Sequence, residues 1–435
     1  MQDLGIISPS LEEFRERAVT HRVIPVCIKI LADSLTPIGI YRSLVLHDGA
    51  ADPGTFLLES AKIATEGESA AWDRYSFIGA SSRSTLTTRD GKIYWQGQTP
   101  AGAPTEGDPV EAIDQTLRML HTEPVPGLPP LTSGLVGYLG WDVVRRWENL
   151  PYPPADDVNL PEFALNMVSD MAIHDNTDGT VLLIANAINF NGTDENVDDA
   201  YVDAVERLHR MLQQLEQGAS ETASVLTGVS EVNDRIHREV TQTWSVQGYQ
   251  DAIDRCKKNI IDGDVFQIVI SRRFEVETGA DALDVYRVLR QSNPSPYMYL
   301  FNFEDAEGIP FQIVGSSPEA LVTLKEGRAT SHPIAGSRPR GATREQDIAL
   351  AEELLADQKE RSEHLMLVDL ARNDLSRIAK PGTVSVDEFM VIERFSHIMH
   401  ISSSVSAELD PQLSAYDVLR VAFPAGTLSG APKPR

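Results

Sequence analysis

Apolar positions along this chain recur with two periods, every second residue and every three to four, and the switches between them delimit the elements. "PSLEEFRERAVT" (9–20) predicts a helix starting near Ser10, with Glu13 completing a capping box. "VIPVCIKI" (23–30) predicts a strand, and "SLTPIGIYRSL" (34–44), with Pro37 inside it, a turn or short helix. "TFLLESA" (55–61) and "RYSFIGAS" (74–81) read as strands, and "GKIYWQG" (91–97) as one arm of a hairpin. Val110, Ile113, Leu117 and Leu120 give a helical stripe over 108–120. "GLVGYLGWD" (134–142) and "TVLLIANAI" (180–188) are apolar enough for buried strands, and 198–217 is helical.

Aromatics then vanish and Ser, Thr and Gly accumulate from residue 218, so a linker is placed over 218–244. It separates an N-terminal lobe, 1–217, from a second lobe, 245–435. There, 245–264 predicts a helix closed by Gly263, 265–277 a strand, and 280–293 a helix. Residues 296–303 and 311–324 predict strands, and 344–378 one long helical segment. Helices mixed with hairpin-forming strands indicate an α+β fold.

Composition narrows the function. A formal charge of −26 over 435 residues argues against nucleic acid as a partner, since phosphate contacts need clustered Lys and Arg. An anionic ligand would need local compensation from a divalent metal or a few placed arginines. No run approaches the ~18 apolar residues of a membrane helix, and the N-terminus has no secretory pattern. The two cysteines, Cys27 and Cys256, form no metal or redox motif, which suits a reduced, cytoplasmic location.

Five stretches carry candidate chemistry. In "LLADQKERSEHLMLVDLARND" (354–374), helical phase puts Glu360, Glu363, His364, Leu367, Ala371 and Asp374 near one face. Two such carboxylates can divide labour, one ionised on a metal and one protonated as an acid. The plain alternative is a solvated face with a Lys359–Glu363 pair, and the residues by themselves leave both open. "SHIMHI" (396–401) offers His397 and His400, on opposite sides of a strand or one side of a helix. His400 is a candidate base, or else a core histidine. "HPIAGSRPRG" (332–341) is a basic turn with a plain Ala335 at its entrance. "FPAGTLSGAPK" (423–433) is a small-residue turn suited to an anion, with a helix start near Pro432. The glycines of "GLVGYLG" fit close backbone packing better than a dinucleotide site.

In this order across 333–433, "PIAGSRPRG", "QKERSEHLMLVDLARNDL", "GTVSV", "SHIMHI" and "FPAGTLSGAPK" together resemble the chorismate-binding enzyme family. "LTPIGIYRSL", "FLLES", "GLVGYLGWD" and "NPSPYMYLF" resemble its anthranilate-forming branch, component I, in particular. The resemblance spans nearly the whole chain. It implies a two-lobed α+β structure with face-to-face sheets, outer helices and a deep cleft. It implies that chorismate and ammonia, delivered by a separate glutamine amidotransferase subunit in a hetero-oligomer, give anthranilate and pyruvate. The cofactor implied is Mg2+, with Glu363 as its ligand. By motif position Glu360 is the general acid, His400 serves the elimination, and Gly336, Ser337 and Thr427 contact substrate. Family members that make aminodeoxychorismate carry a nucleophilic lysine where Ala335 stands, and the water-adding members a lysine base where Gln267 stands. Alanine leaves room for ammonia, and glutamine can orient a neutral amine without acting as a base. Leu58, Glu59, Ser60, Pro296, Tyr297 and Met298 match the feedback site for L-tryptophan. The remaining alternatives are an aminodeoxychorismate synthase, disfavoured by Ala335, and a non-catalytic tryptophan-binding chain.

The sequence departs from the pattern at Ser337, where threonine is usual, and at Pro434, where valine is common. Family members also continue past the position of Arg435 with a further glutamate, an arginine, a tyrosine and a Gly-rich loop. Residues 1–435 by themselves are therefore expected to have little synthase activity. Robust anthranilate fluorescence from this chain with chorismate, Mg2+ and ammonium would overturn that expectation.

Overall fold

The computed structural model describes residues 4–61, 74–121, 124–218, 240–395 and 397–435. They gather into two compact units that are not consecutive halves. One takes described residues from 1–143, 154–223 and 282–317, the other from 144–153, 224–281 and 318–435. The break expected at 218–244 is thus incomplete as a boundary, because residues 282–317 return to the first unit. Of the expected linker, 219–239 lie outside the described residues, and Val240–Gln242 is a short strand.

The first unit is built on a ten-stranded antiparallel sheet. Its main order is Ile7–Ser8, Val23–Leu31, Thr180–Ile188, Phe163–Asp175, Tyr75–Arg89, Phe56–Glu59, Tyr297–Glu304, Pro310–Ser317. Lys92–Gly97 and Leu135–Leu139 pair alongside this path. The return of 297–317 follows from pairing: Tyr297–Glu304 is hydrogen-bonded to Phe56–Glu59 on one side and Pro310–Ser317 on the other. Alternate residues of each strand feed two cores. Val26, Ile28, Leu57, Ile78, Leu183 and Leu300 face one way, among Phe14, Tyr41, Leu208 and Tyr286 from the helices Leu11–Ala18, Pro37–Val45, Val197–Gln217 and Ala282–Ser292. Cys27, Phe56, Phe77, Met171, Ile184 and Phe303 face the other.

Several expectations hold in detail. Ser10 and Glu13 form the capping box. Pro37 opens a helix whose missing N–H is harmless at that position. A Cβ on Gly137 would come within 1.9 Å of the Ala164 carbonyl oxygen and one on Gly140 within 2.9 Å of the Glu162 oxygen, so these two glycines of "GLVGYLG" serve close packing, whereas Gly134 takes φ +129° with open space around it. Others are corrected. Helix Pro109–Leu120 buries Val110, Ala112, Ile113 and Thr116, whereas Leu117 of the expected stripe is 37% exposed. The central strand Phe163–Asp175, buried at all thirteen positions, gave no apolar alternation because Asn166, Ser169, Asp170, His174 and Asp175 interrupt it. Most of these polar groups are matched inside, although Asn166 Nδ2 has no partner among the described residues. Arg207, 4% exposed, donates to Asp170, to Asp203 at 2.9 Å and to the Asn186 carbonyl at 2.9 Å.

The second unit holds a five-stranded sheet in the order Thr323–Lys325, Arg328–Ser331, Ile398–Glu408, Ile334–Pro339, with Ser385–Arg394 also on Ile398–Glu408. Helices Gln358–Ser376 and Ala415–Ala422 pack on it through Val368, Ala371, Leu375, Val418 and Val421. The single helix expected over 344–378 is two, Arg344–Ala356 and Gln358–Ser376. Asp357 ends the first and caps the second, its Oδ1 accepting the amides of Lys359 (2.9 Å) and Glu360 (3.2 Å). The strand expected over 265–277 survives only as Gln267–Ile268 and Phe274–Val276. Each finds its own short partner, and the stretch between them pairs with no strand among the described residues. The helix expected near Pro432 is instead the short helix Gly426–Ser429 followed by strand Gly430–Ala431. Among the described residues no helix is long and apolar enough to cross a membrane.

Replacing Arg207 by Met would leave Asp170 buried without its cation. A loss of about 3–5 kcal/mol is expected, read by urea unfolding. A loss under ~1 kcal/mol would mean that the pair is dispensable.

Candidate active site

The site in the second unit starts from one irregularity. Strand Ile334–Pro339 pairs antiparallel with Ile398–Glu408, Ala335 opposite Ile401 and Ser337 opposite His400, so Gly336 is an extra residue in a β-bulge. Its φ is +69°, a conformation that favours glycine. A Cβ there would sit 3.1 Å from Glu360 Oε2 and 3.3 Å from Leu354 Cδ1. The bulge therefore turns the Gly336 carbonyl toward His400 and lets the Glu360 carboxylate lie against bare backbone. His400 Nδ1 is 2.9 Å from the Gly336 oxygen. A carbonyl only accepts, so Nδ1 carries a proton, and Nε2 is the ring nitrogen that this bond leaves unused. Phe395 packs edge-on to the imidazole at 5.5 Å. Of "SHIMHI", Ser396 lies outside the described residues, His397 just precedes a strand and His400 is within it.

Ala335 is buried. The guanidinium groups that follow it face away from any ligand role, because acids of the next helix take them. Arg338 pairs with Glu353 and Asp357, each at 2.9 Å. Arg340 and Arg394 both reach Asp347, at 2.7 and 2.9 Å. The Arg340 guanidinium, with the Gly341 N–H and Arg394, holds Asp347 well below the usual carboxylate range. The basic turn clamps strand to helix.

The helical face expected over 354–374 is real and largely buried: His364, Leu367 and Ala371 are covered, and Glu360 and Glu363 stand at its open end. Lys359 Nζ lies 3.1 Å from Glu360 Oε1 and 3.6 Å from Glu363 Oε2, while its own side chain is exposed. One cation already spans the two carboxylates. Among the described residues no three His, Cys, Asp or Glu side chains gather to hold a metal by themselves. Mg2+ is commonly held by one or two carboxylates completed by substrate oxygens and water, and Glu360 with Glu363 fits that mode.

Gln267 Nε2 is 3.5 Å from Glu363 Oε1, and its buried Oε1 has no hydrogen-bond partner among the described residues. Its strand is stitched to the "GTLSGA" segment: Gln267 pairs with Ala431, and Val269 N–H donates to the Ser429 carbonyl at 2.9 Å. A Cβ on Gly430 would fall 2.2 Å from the Gln267 oxygen, so this approach requires glycine. Lys433 anchors the same segment, donating to Asp374 and to the Ala422 carbonyl. Burial raises the Asp374 carboxyl and lowers the Lys433 ammonium, so each charge relies on the other.

Thr427 leads to a residue that sequence reasoning missed. Its hydroxyl donates to Glu319 Oε2 at 3.5 Å. Burial pushes the Glu319 carboxyl up to about 7, against the lowering effect of Thr427 and with a further push from the Glu393 charge. Glu319 falls between two strands in "SSPEALV", where neither periodicity nor spacing singles out an acid.

The second set of candidates lies in the first unit. Leu58 and Glu59 are opposite Tyr299 and Met298 in adjacent strands, with Ser60 following Glu59, and Pro296 and Tyr297 preceding Met298. Glu59 is buried; it accepts the Tyr286 hydroxyl at 2.6 Å and faces Arg290 Nε at 3.3 Å. Burial, reinforced by the Glu59 charge, pushes the Tyr286 phenol far up, so it remains a donor. All six residues are brought together; Tyr286 and Arg290 were not anticipated.

The family described as chorismate binding enzyme matches residues 60–435. The chain is 59% identical over 435 residues to anthranilate synthase component 1 of Arthrobacter globiformis, covering all of this chain and 80% of that one. It is 53% identical over 427 residues to the component 1 of Mycolicibacterium smegmatis, covering 98% and 78%. Among solved structures, anthranilate synthase component I from Streptococcus pneumoniae aligns with a TM-score of 0.68 at 30% identity, covering 86% of this chain and 77% of that one. The menaquinone-specific isochorismate synthase of Escherichia coli shares the fold, with a TM-score of 0.63 at 14% identity over 97% and 80%.

Gly336→Ala should cost roughly 1–2 kcal/mol from the left-handed backbone alone and push Glu360 aside. Unchanged urea stability would contradict the bulge geometry.

Proposed function

The chain belongs to the chorismate-binding enzyme family, and from that premise we propose that it is the chorismate-converting subunit of an anthranilate synthase, a lyase. The observation that carries this reading is the 59% identity to a component 1 along the entire chain. Ala335 at the mouth of the bulge supports it, since alanine offers no amine and leaves ammonia as the nucleophile. The numbering of relatives as component 1 supports a separate glutaminase partner as the ammonia source.

Each residue then has a task. The orphaned Oε1 of Gln267 accepts a hydrogen bond from ammonia and orients it. Gly336, Ser337 and Thr427 line the ring's position. The departing hydroxyl needs a proton, and two acids are candidates: Glu360, by its place on the helix, and Glu319. The geometry favours Glu319, because it sits beside Thr427 and holds its proton near neutrality. Glu360 and Glu363 then serve the substrate's charged end, where Mg2+, when bound, would neutralise a carboxylate. His400, with Nε2 unprotonated, takes the ring proton as pyruvate leaves and the ring becomes aromatic. Leu58, Glu59, Ser60, Pro296, Tyr297 and Met298 are assigned to L-tryptophan; Glu59 faces its ammonium and the apolar side chains its indole. Inhibition there requires that tryptophan favour a less active arrangement.

The test is anthranilate fluorescence from chorismate, Mg2+ and ammonium, measured on the protein as its gene encodes it. Aminodeoxychorismate as product would refute the reading. Calorimetry with tryptophan and with Mg2+–chorismate separates enzyme from sensor: binding of tryptophan alone would favour the sensor. Glu319 acts while protonated, and its carboxyl is raised from 4.5 to about 7. Its contribution is therefore present below that pH and lost as pH rises through it. Glu319→Gln should lower kcat by about 10²–10⁴-fold and abolish this alkaline limb. A full-strength E319Q enzyme with the wild-type pH profile would return the role to Glu360.

A further inference from the structure

We propose that His364 is a positioning residue for the carboxylate pair: its buried hydrogen bond to Ser403 sets the rotation of helix Gln358–Ser376 and so the aim of Glu360 and Glu363. The inference rests on the reading above that this pair serves Mg2+ and chorismate.

His364 is 0% exposed and follows Glu363 directly in the chain. Its Nε2 is 2.6 Å from Ser403 Oγ, in strand Ile398–Glu408. Ser403 is 1% exposed and is the point where several elements meet. Its hydroxyl also accepts the Met390 N–H at 2.9 Å, where strand Ser385–Arg394 slips register and Met390 takes φ +55°. Its own N–H donates at 3.2 Å to the Pro333 carbonyl, just before the strand that bears Ala335 and Gly336. One hydroxyl-bearing residue thus links the helix, both strands that flank the site, and the lead-in to the bulge.

The rest of the helix's buried face is apolar: Leu367, Val368, Ala371 and Leu375. Such contacts are non-directional and tolerate small rotations. The His364–Ser403 bond is directional and lies one residue from Glu363 and one turn from Glu360. A rotation that broke it would swing both carboxylates, and displacement of about 1 Å at a site of this kind costs on the order of 10²-fold in rate. Among the described residues His364 Nδ1 is buried without a partner, and the imidazole is held from its Nε2 end.

The experiment titrates Mg2+ calorimetrically into the protein as its gene encodes it, with chorismate present and ammonium absent, so that no turnover intervenes. Far-UV circular dichroism and melting follow the fold. His364→Leu should keep the native spectrum and weaken Mg2+ by about 10–100-fold, the range for partners that orient a metal ligand. His364→Gln, which restores a polar nitrogen near the place of Nε2, should recover most of the affinity. Ser403→Ala should show the same loss as H364L, and the double variant no further loss, because one bond is removed either way. Glu363→Gln is the control. If E363Q loses Mg2+ while H364L or S403A binds like wild type, the positioning role is wrong. If H364Q and H364L weaken alike, the role is bulk packing and the proposal also fails. If E363Q itself binds Mg2+ normally, the site reading has failed instead. Should H364L not fold, S403A and H364Q decide alone.

Discussion

The candidate active site depends on a one-residue slip between two strands. Ile334–Pro339 and Ile398–Glu408 stay paired on both sides of Gly336, so the surplus residue has nowhere to go but outward. That displacement presents its carbonyl to His400 and opens backbone to Glu360. Without the slip, the alternation of a regular strand would keep Ala335 and Ser337 on one face and turn Gly336 to the other. The positive φ of Gly336 is thus a condition for bringing base, carboxylate and the small Ala335 to one place.

Electrostatics explain how so acidic a chain can hold an anion. The basic turn is spent on scaffolding: Glu353, Asp357 and Asp347 neutralise Arg338, Arg340 and Arg394 and lock strand to helix. What is left near the bulge is a pair of carboxylates bridged by an exposed lysine, the imidazole of His400, and Glu319, whose burial raises its carboxyl to about 7. Such a set repels a dianion unless a cation joins it.

The first unit solves a different problem. Its long central strand is covered on both faces, so the polar residues it carries must be paired internally: Arg207 meets Asp170 from a helix, Arg74 meets Asp175 and Thr85 meets Asn166. The strand Tyr297–Glu304, from far along the chain, completes the sheet beside Phe56–Glu59. Only that pairing puts Met298 next to Glu59, where Tyr286 and Arg290 from the preceding helix meet its carboxylate.

By itself the sequence determined whatever local chemistry decides. The Ser10 capping box, the Pro37 helix start, the strand at 180–188 and the helix at 197–217 depend on neighbours a few residues away, and they were legible. So was the family, because its motifs stand in order along the chain, and it is those motifs that point to Glu360, Glu363, Gln267, His400, Ala335 and the "LLES" and "NPSPYMYL" stretches as candidates. Tertiary structure alone decided the rest. Asp357 splits an apparently continuous helix because one of its oxygens accepts two amides of the next turn while the other holds Arg338. The strand 163–175 was hidden because partners remote in sequence satisfy its polar groups. The strand 265–277 was overextended because a ladder needs a neighbour, and only its ends have one among the described residues. Glu319 could not be singled out because its proton affinity comes from burial, with a push from the Glu393 charge, and both follow from the packing of segments distant in the chain. Periodicity reports which face of an element is apolar; what that face meets, and at what distance, is set by the packing of segments that the linear chain keeps apart.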